Sequence, residues 1–200
     1  MLPEIPGELH GIASGTFAYC FALRNDGIPT IPNSVVDMCG TFAYCRNLTT
    51  TPSLPNAVIN IAECFMNCSN ITSAGYIPNS VTNVRNTFAG CNNLTGSIYI
   101  QSNKIGDVKD CFANTSLDKN VYIPFTYENG VNTKTYNTFI NAGYSTSTRK
   151  YGALLKDINA PVIKKYIETD GYEFTNVNDT VNISKIYDIF CPSSGNNNAS

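Results

Sequence analysis

Apolar positions along this chain recur with a long step. An aliphatic residue followed by proline stands at Ile5-Pro6, Ile31-Pro32, Leu54-Pro55, Ile77-Pro78 and Ile123-Pro124, and Ile100 fills the gap with Gln101 in place of proline. From Ile31 onward the step is 23 residues; the first step is 26 and leaves room for a longer loop. A second marker, Phe-x-x-Cys, keeps pace at Phe17/Cys20, Phe42/Cys45, Phe65/Cys68 and Phe88/Cys91, with a degenerate copy at Phe112/Thr115. Leu23, Leu48, Ile71 and Leu94 each follow a cysteine by three residues, and Asn33-Ser34-Val35, Asn56-Ala57-Val58 and Asn79-Ser80-Val81 precede the phenylalanines. Self-similarity at a fixed step of roughly 20–50 residues marks a stacked-repeat architecture.

Each repeat reads as one supersecondary unit. A short strand ends at Ile-Pro, because proline has no N–H to donate to a ladder. A turn on Asn-Ser follows, then a tight helical or 3-10 turn carrying Thr-Phe-Ala-x-Cys, and Asn-Asn-Leu leads into the next strand. One coil cannot bury its own Phe, Leu and Val, whereas stacked coils bury them in a continuous core. Phe42, Phe65 and Phe88 are therefore expected in one buried column.

The segment from Ile77 to Thr95, Ile-Pro-Asn-Ser-Val-Thr-Asn-Val-Arg-Asn-Thr-Phe-Ala-Gly-Cys-Asn-Asn-Leu-Thr, resembles the BspA-like leucine-rich repeat. That family pairs an Ile-Pro-x-Ser-Val-Thr segment with Phe-x-x-Cys-x-x-Leu, and the likeness covers residues 4–124. The chain departs from the pattern at Val84-Arg85, where an Ile-Gly pair is usual, and at Thr87, where the family has alanine. The resemblance implies a curved solenoid with a parallel sheet along one side. The expected fold is an α/β solenoid, a leucine-rich-repeat-like right-handed stack of short parallel strands with helical or 3-10 turns. A small C-terminal capping region of short helix and antiparallel strands completes it. The resemblance also implies extracellular recognition, as bacterial surface adhesion or display on a phage or parasite surface. Fold alone gives only a class of function.

Side chains alternate along a strand. With Ile77, Ile100 and Ile123 inward, their neighbours Tyr76, Tyr99 and Tyr122 face outward, 23 residues apart. Parallel strands lie about 4.8 Å apart, so the three tyrosines should form a ladder on the exposed sheet face. Earlier coils place Glu4, Thr30 and Ser53 at the same position. Tyr76, Tyr99, Tyr122, Ser53 and Thr30 are the candidate binding residues. Tyrosine offers an apolar ring and a hydroxyl at interfaces, suited to a sugar ring or a protein. Tyrosine is also a good strand residue whose cross-strand stacking stabilises a sheet.

Composition narrows the function classes. Hydrophobic residues make up 42% of the 200, enough for a core, while charged residues make up 14%, against about 25% in an average protein. The net charge is −2 and no basic block is present, which speaks against a nucleic-acid partner. No run approaches the roughly 18 apolar residues of a membrane span. Met1–Gly15 lacks the basic flank and apolar run of a secretory signal; the chain is expected either to act without that route or to be trimmed.

Candidate chemistry is sparse. Cys20, Cys45, Cys68 and Cys91 share one register position and read as buried, reduced, small apolar fillers rather than disulfide partners. Cys64-x-x-x-Cys68 has plausible zinc-ligand spacing but lacks a second pair, so neither metal nor cofactor is expected. The single histidine, His10, has no nucleophile motif nearby, the carboxylates of the C-terminal half show no catalytic spacing, and no phosphate-binding glycine loop is present. The sequons at Asn47, Asn70 and Asn93 come from the repeat and read as turn formers whose side chains bond the local backbone.

After Ile123-Pro124 the repeat stops. Thr133 to Ala142 reads as a helix with Thr133 as N-cap, Gly143 just past its end, and Tyr136, Phe139 and Ile140 as its apolar face. Ala153–Ile158 reads as a strand, Val162–Ile167 and Tyr172–Phe174 as a hairpin around Thr169-Asp-Gly171, and Val181–Phe190 as a further strand. The expected organisation is a solenoid over 1–124, a cap over 125–158, a small β region over 159–191 and a disordered tail over 192–200. The first coil shows no polar cap, and its open edge is expected to meet another chain or a copy of itself, unless upstream residues are missing. The function expected is non-enzymatic surface recognition or adhesion, extracellular, on a cell surface or virion, with a protein or carbohydrate partner bound through the sheet face. The alternative is a structural virion or appendage component, such as a phage tail or host-attachment protein, that assembles with copies of itself.

Overall fold

A computed structural model of the chain describes residues 14–115, 118–127 and 129–159, and the backbone of 162–165 and 172–175. It divides into two compact units, Met1–Ile158 and Asn159–Ser200. The expectations for Ile5-Pro6, His10, the open N-terminal edge, the Val181–Phe190 strand and the tail lie outside the described residues.

The phenylalanine column forms. Phe17, Phe42, Phe65, Phe88 and Phe112 stack with ring centroids 5.4, 5.8, 5.7 and 5.8 Å apart and interplanar angles of 10°, 1°, 13° and 5°. Val35, Val58 and Val81, and Leu48, Ile71 and Leu94, are buried beside it. The cysteines do more than fill space. The thiols of Cys45, Cys68 and Cys91 donate to the carbonyl oxygens of Phe17, Phe42 and Phe65 in the preceding coil, at 3.0, 3.0 and 3.1 Å.

The segment carrying the phenylalanine is neither a helix nor a 3-10 turn; the 3-10 helix described is Asn25–Gly27. Its backbone instead alternates in hand. The residues two before each Phe (Gly15, Gly40, Glu63, Asn86, Asp110) and two after it (Tyr19, Tyr44, Asn67, Gly90, Asn114) all have φ between 51° and 75°. This alternation turns every second peptide along the stacking direction. The N–H groups of Gly40, Phe42 and Tyr44 donate forward to the carbonyls of Ala62, Cys64 and Met66 at 2.8, 2.9 and 2.7 Å. Glu63, Phe65 and Asn67 do the same to Arg85, Thr87 and Ala89, and the pattern continues to Cys111 and Ala113. The local turn is held by Asp37, Asn60, Asn83 and Asp107, whose Oδ1 atoms accept from the N–H two residues on at 2.8–3.1 Å. Asn47, Asn70 and Asn93, expected in that role, are exposed and bond no described residue.

On the opposite side, β1 (Tyr76–Ile77), β2 (Ile98–Ile100) and β3 (Lys119–Ile123) pair in parallel. The expected strands at Ile31 and Leu54 do not form. Each has two prolines, Pro29/Pro32 and Pro52/Pro55, which remove N–H groups and interrupt the ladder. The isolated bridge of Thr50 to Ser73, with Gly75 N–H donating to Thr51 Oγ1 at 2.8 Å, links this region to the next coil.

Helix α1 (Lys134–Asn141) lies where the sequence places it. The Thr133 side chain accepts from Tyr136 N–H at 3.0 Å and donates to the Pro124 carbonyl at 2.5 Å. Its buried residues are Thr135 and Phe139, while Ile140 is exposed, a correction to the expected apolar face. Thr135 is drawn in because its hydroxyl donates to the Ser102 carbonyl and accepts from Ile105 N–H in the last coil. Tyr144 ends the phenylalanine column edge-on to Phe112, with centroids 6.0 Å apart. Its hydroxyl is buried without a hydrogen-bond partner.

The segment after the helix is not an antiparallel cap strand. β4 (Ala153–Asp157) pairs in parallel with β3, from Lys119 opposite Ala153 to Ile123 opposite Asp157, and extends the sheet by one rung. Lys119 points into this end of the core, 2% exposed, its amine donating to Thr115 Oγ1 at 2.9 Å and the Tyr151 carbonyl at 2.8 Å. Burial, with Arg149 nearby, pushes its pKa down to about 8. In the second unit, β5 (Val162–Lys165) and β6 (Tyr172–Thr175) form the expected antiparallel hairpin.

Candidate recognition surface

The sheet brings the predicted tyrosines together. β1 and β2 pair Tyr76 with Tyr99, β2 and β3 pair Tyr99 with Tyr122, and β3 and β4 pair Tyr122 with Lys156. Ring centroids are 5.3 Å apart at 36° for the first pair and 4.8 Å apart at 13° for the second. Inward neighbours Ile77, Ile100 and Ile123 are buried, as alternation requires. Each outward tyrosine therefore stands on a fixed pedestal.

Stacking decides which parts of the rings are available. Tyr99 has a ring against each face, so it shows the outside its edge and hydroxyl; it is half-buried. Tyr76 has one ring neighbour and is 55% exposed. The row as a whole cannot lay successive ring faces against a ligand; only its ends can.

Thr30 and Ser53, the two earlier candidates, are exposed and lie at a cleft of about 560 Å³. The cleft runs between the double-proline segments and is also lined by Asn25, Thr50 and Thr51. It borders the tyrosine row: Thr50 pairs with Ser73, which places Ser53 level with Tyr76, and Thr51 Oγ1 accepts from Gly75 N–H at 2.8 Å. Asn25 ties the cleft wall together, its amide bonding the backbone and hydroxyls of Thr49 and Thr50. The described residues lining the cleft are all uncharged.

A second aromatic cluster was not among the sequence candidates. Tyr19 and Tyr44 stack at 4.6 Å and 11°, Phe21 meets Tyr19 edge-on at 6.2 Å, and Arg46 lies 5.4 Å from the Phe21 ring centre. Both tyrosines occupy the left-handed position two after the column phenylalanine; Tyr19 is exposed and Tyr44 half-buried. The doubled Phe-Ala-Tyr-Cys at 17–20 and 42–45 is the sequence signal that marks them.

Five of the seven described thiols are buried. Burial raises the thiol pKa of Cys45 to about 11 and of Cys91 to about 12, and raises those of Cys64, Cys68 and Cys111 as well. Among the described residues no group of three or more His, Cys, Asp or Glu gathers as for a metal, and no helix is long and apolar enough to cross a membrane.

The family model of the BspA type leucine-rich repeat region matches residues 10–143 in six copies. No curated protein and no solved structure matches the chain.

Proposed function

The chain belongs to the BspA-type leucine-rich repeat family, and from that premise we propose that it is a non-enzymatic recognition module at a surface, binding a protein or glycan partner through its sheet face. The family is typically associated with surfaces and adhesion. The observation that carries the reading is the row Thr30, Ser53, Tyr76, Tyr99, Tyr122, uncharged and open, with aromatic edges and hydroxyls fixed by the sheet register. Rigid aromatic groups lose little conformational freedom on binding, which favours them as contact residues.

The test is the double substitution Tyr99→Ala/Tyr122→Ala. Both side chains point out of the sheet, so folding followed by circular dichroism should persist. Adhesion to cells, or to immobilised surface glycans and proteins, should fall. Unchanged adhesion with the fold intact refutes the sheet face as the contact.

A further inference from the structure

We propose that the sheet face carries a subsite for one neutral pyranose ring, seated between the open face of Tyr76 and the strip formed by Thr30 and Ser53. This rests on the recognition reading above and narrows it to a sugar.

Three observations converge on this place. The first is the bare ring. Tyr99 caps one face of Tyr76, and on the other side the level position is held by Ser53, which has no ring to offer. A flat, apolar partner fits there, in the place a fourth tyrosine would take. The second is unspent hydrogen bonding. The N–H groups of Thr30, Ile31, Ser53 and Leu54, and the hydroxyls of Thr30 and Ser53, bond no described residue. Backbone donors seek partners wherever they are, and no described carbonyl of the neighbouring coils accepts from these. The third is charge. Among the described residues lining the cleft none is ionisable, so a sialic or uronic acid meets no cation from them.

A neutral pyranose satisfies all three together. The axial C–H bonds on its flat side carry a slight positive charge and suit the negative face of an aromatic ring. Its rim of hydroxyls donates and accepts at once, matching a strip of mixed donors and acceptors. The cleft is within the size range of small-ligand sites, about 300–1,000 Å³, so further sugars of a chain fit beside the first. An extended peptide suits the place less well, because strand addition needs an unbroken edge of backbone groups, and Pro29 and Pro52 break it.

The experiment uses the full chain and saturation-transfer NMR with cellotetraose, chitotetraose and lactose as neutral probes and sialyllactose as a charged one. At least one neutral probe should receive saturation, strongest on its axial protons. Ser53→Tyr should extend the stacked row, keep the thermal unfolding temperature, and weaken binding about tenfold or more, equivalent to a ~1.4 kcal/mol contact. Tyr76→Phe should keep binding and Tyr76→Ala should lose it. No transfer to any neutral probe, or binding that survives Ser53→Tyr, overturns the subsite. If Ser53→Tyr leaves cell adhesion intact while Tyr99→Ala/Tyr122→Ala abolishes it, the subsite fails and the sheet-face reading stands. If adhesion survives both, that reading fails too.

Discussion

Cys68 Sγ lies 3.0 Å from the carbonyl oxygen of Phe42, in the coil before it. Each such thiol is both a filler and a weak donor joining two coils, and burial keeps it protonated. Reaction with a thiol reagent at pH 8 should therefore be slow in the folded chain. Of the seven described cysteines, the half-buried Cys20 and Cys39 should be labelled first. The other five should react only as denaturant unfolds the stack. Prompt labelling of Cys68 in the native protein contradicts this packing.

Phe65 sits at the centre of the column, flanked by Phe42 and Phe88. Phe65→Ala should cost about 3–5 kcal/mol, the usual loss for a large core ring. Because each coil leans on its neighbours, the loss should split the unfolding into two steps on either side of the gap. Denaturant titration followed by circular dichroism reads both effects.

Tyr144 carries a buried hydroxyl with no partner, a desolvation cost of about 1–3 kcal/mol. Tyr144→Phe keeps the ring that closes the column and removes the orphan atom. The unfolding temperature should rise, and a fall shows that the hydroxyl has a partner in solution.

Lys119 has a folded pKa of about 8, below its ordinary value of 10.5. Below pH 8 the folded state must hold a poorly solvated charge, whereas the unfolded chain keeps its proton to higher pH. Folding therefore releases a proton between these values, and this contribution to stability rises with pH from about 8 to 10.5. The buried thiols act in the opposite direction, since their folded values are raised. The measurement is thus the difference between the native chain and Lys119→Met. The native chain should gain on the variant from pH 7.5 to 9.5 in denaturation midpoint, and a constant difference rejects the shift.

The sequence showed the column and the tyrosine row because both follow from a constant step and from strand alternation. Other features have no such signature. The left-handed positions are shared among Gly40, Glu63, Asn67, Tyr44 and Asp110, so no residue type announces them. β4 escaped the register because 34 residues, including α1, separate Tyr122 from its partner Lys156. The Thr30 and Ser53 cleft was visible only as two polar residues. That the N–H groups of Thr30, Ile31, Ser53 and Leu54 find no acceptor among the described residues depends on how the coils lie side by side.

The alternation of hand around the phenylalanines has an electrical consequence. In the peptide units entering Gly40, Phe42 and Tyr44 the carbonyl points backward and the N–H forward, and the next coils repeat this head to tail. Their dipoles add, as in an α-helix, instead of largely cancelling as in a sheet. This row of peptides is in effect a bar with a partial negative charge at its Gly15–Tyr19 end and a partial positive charge at its Asp110–Asn114 end.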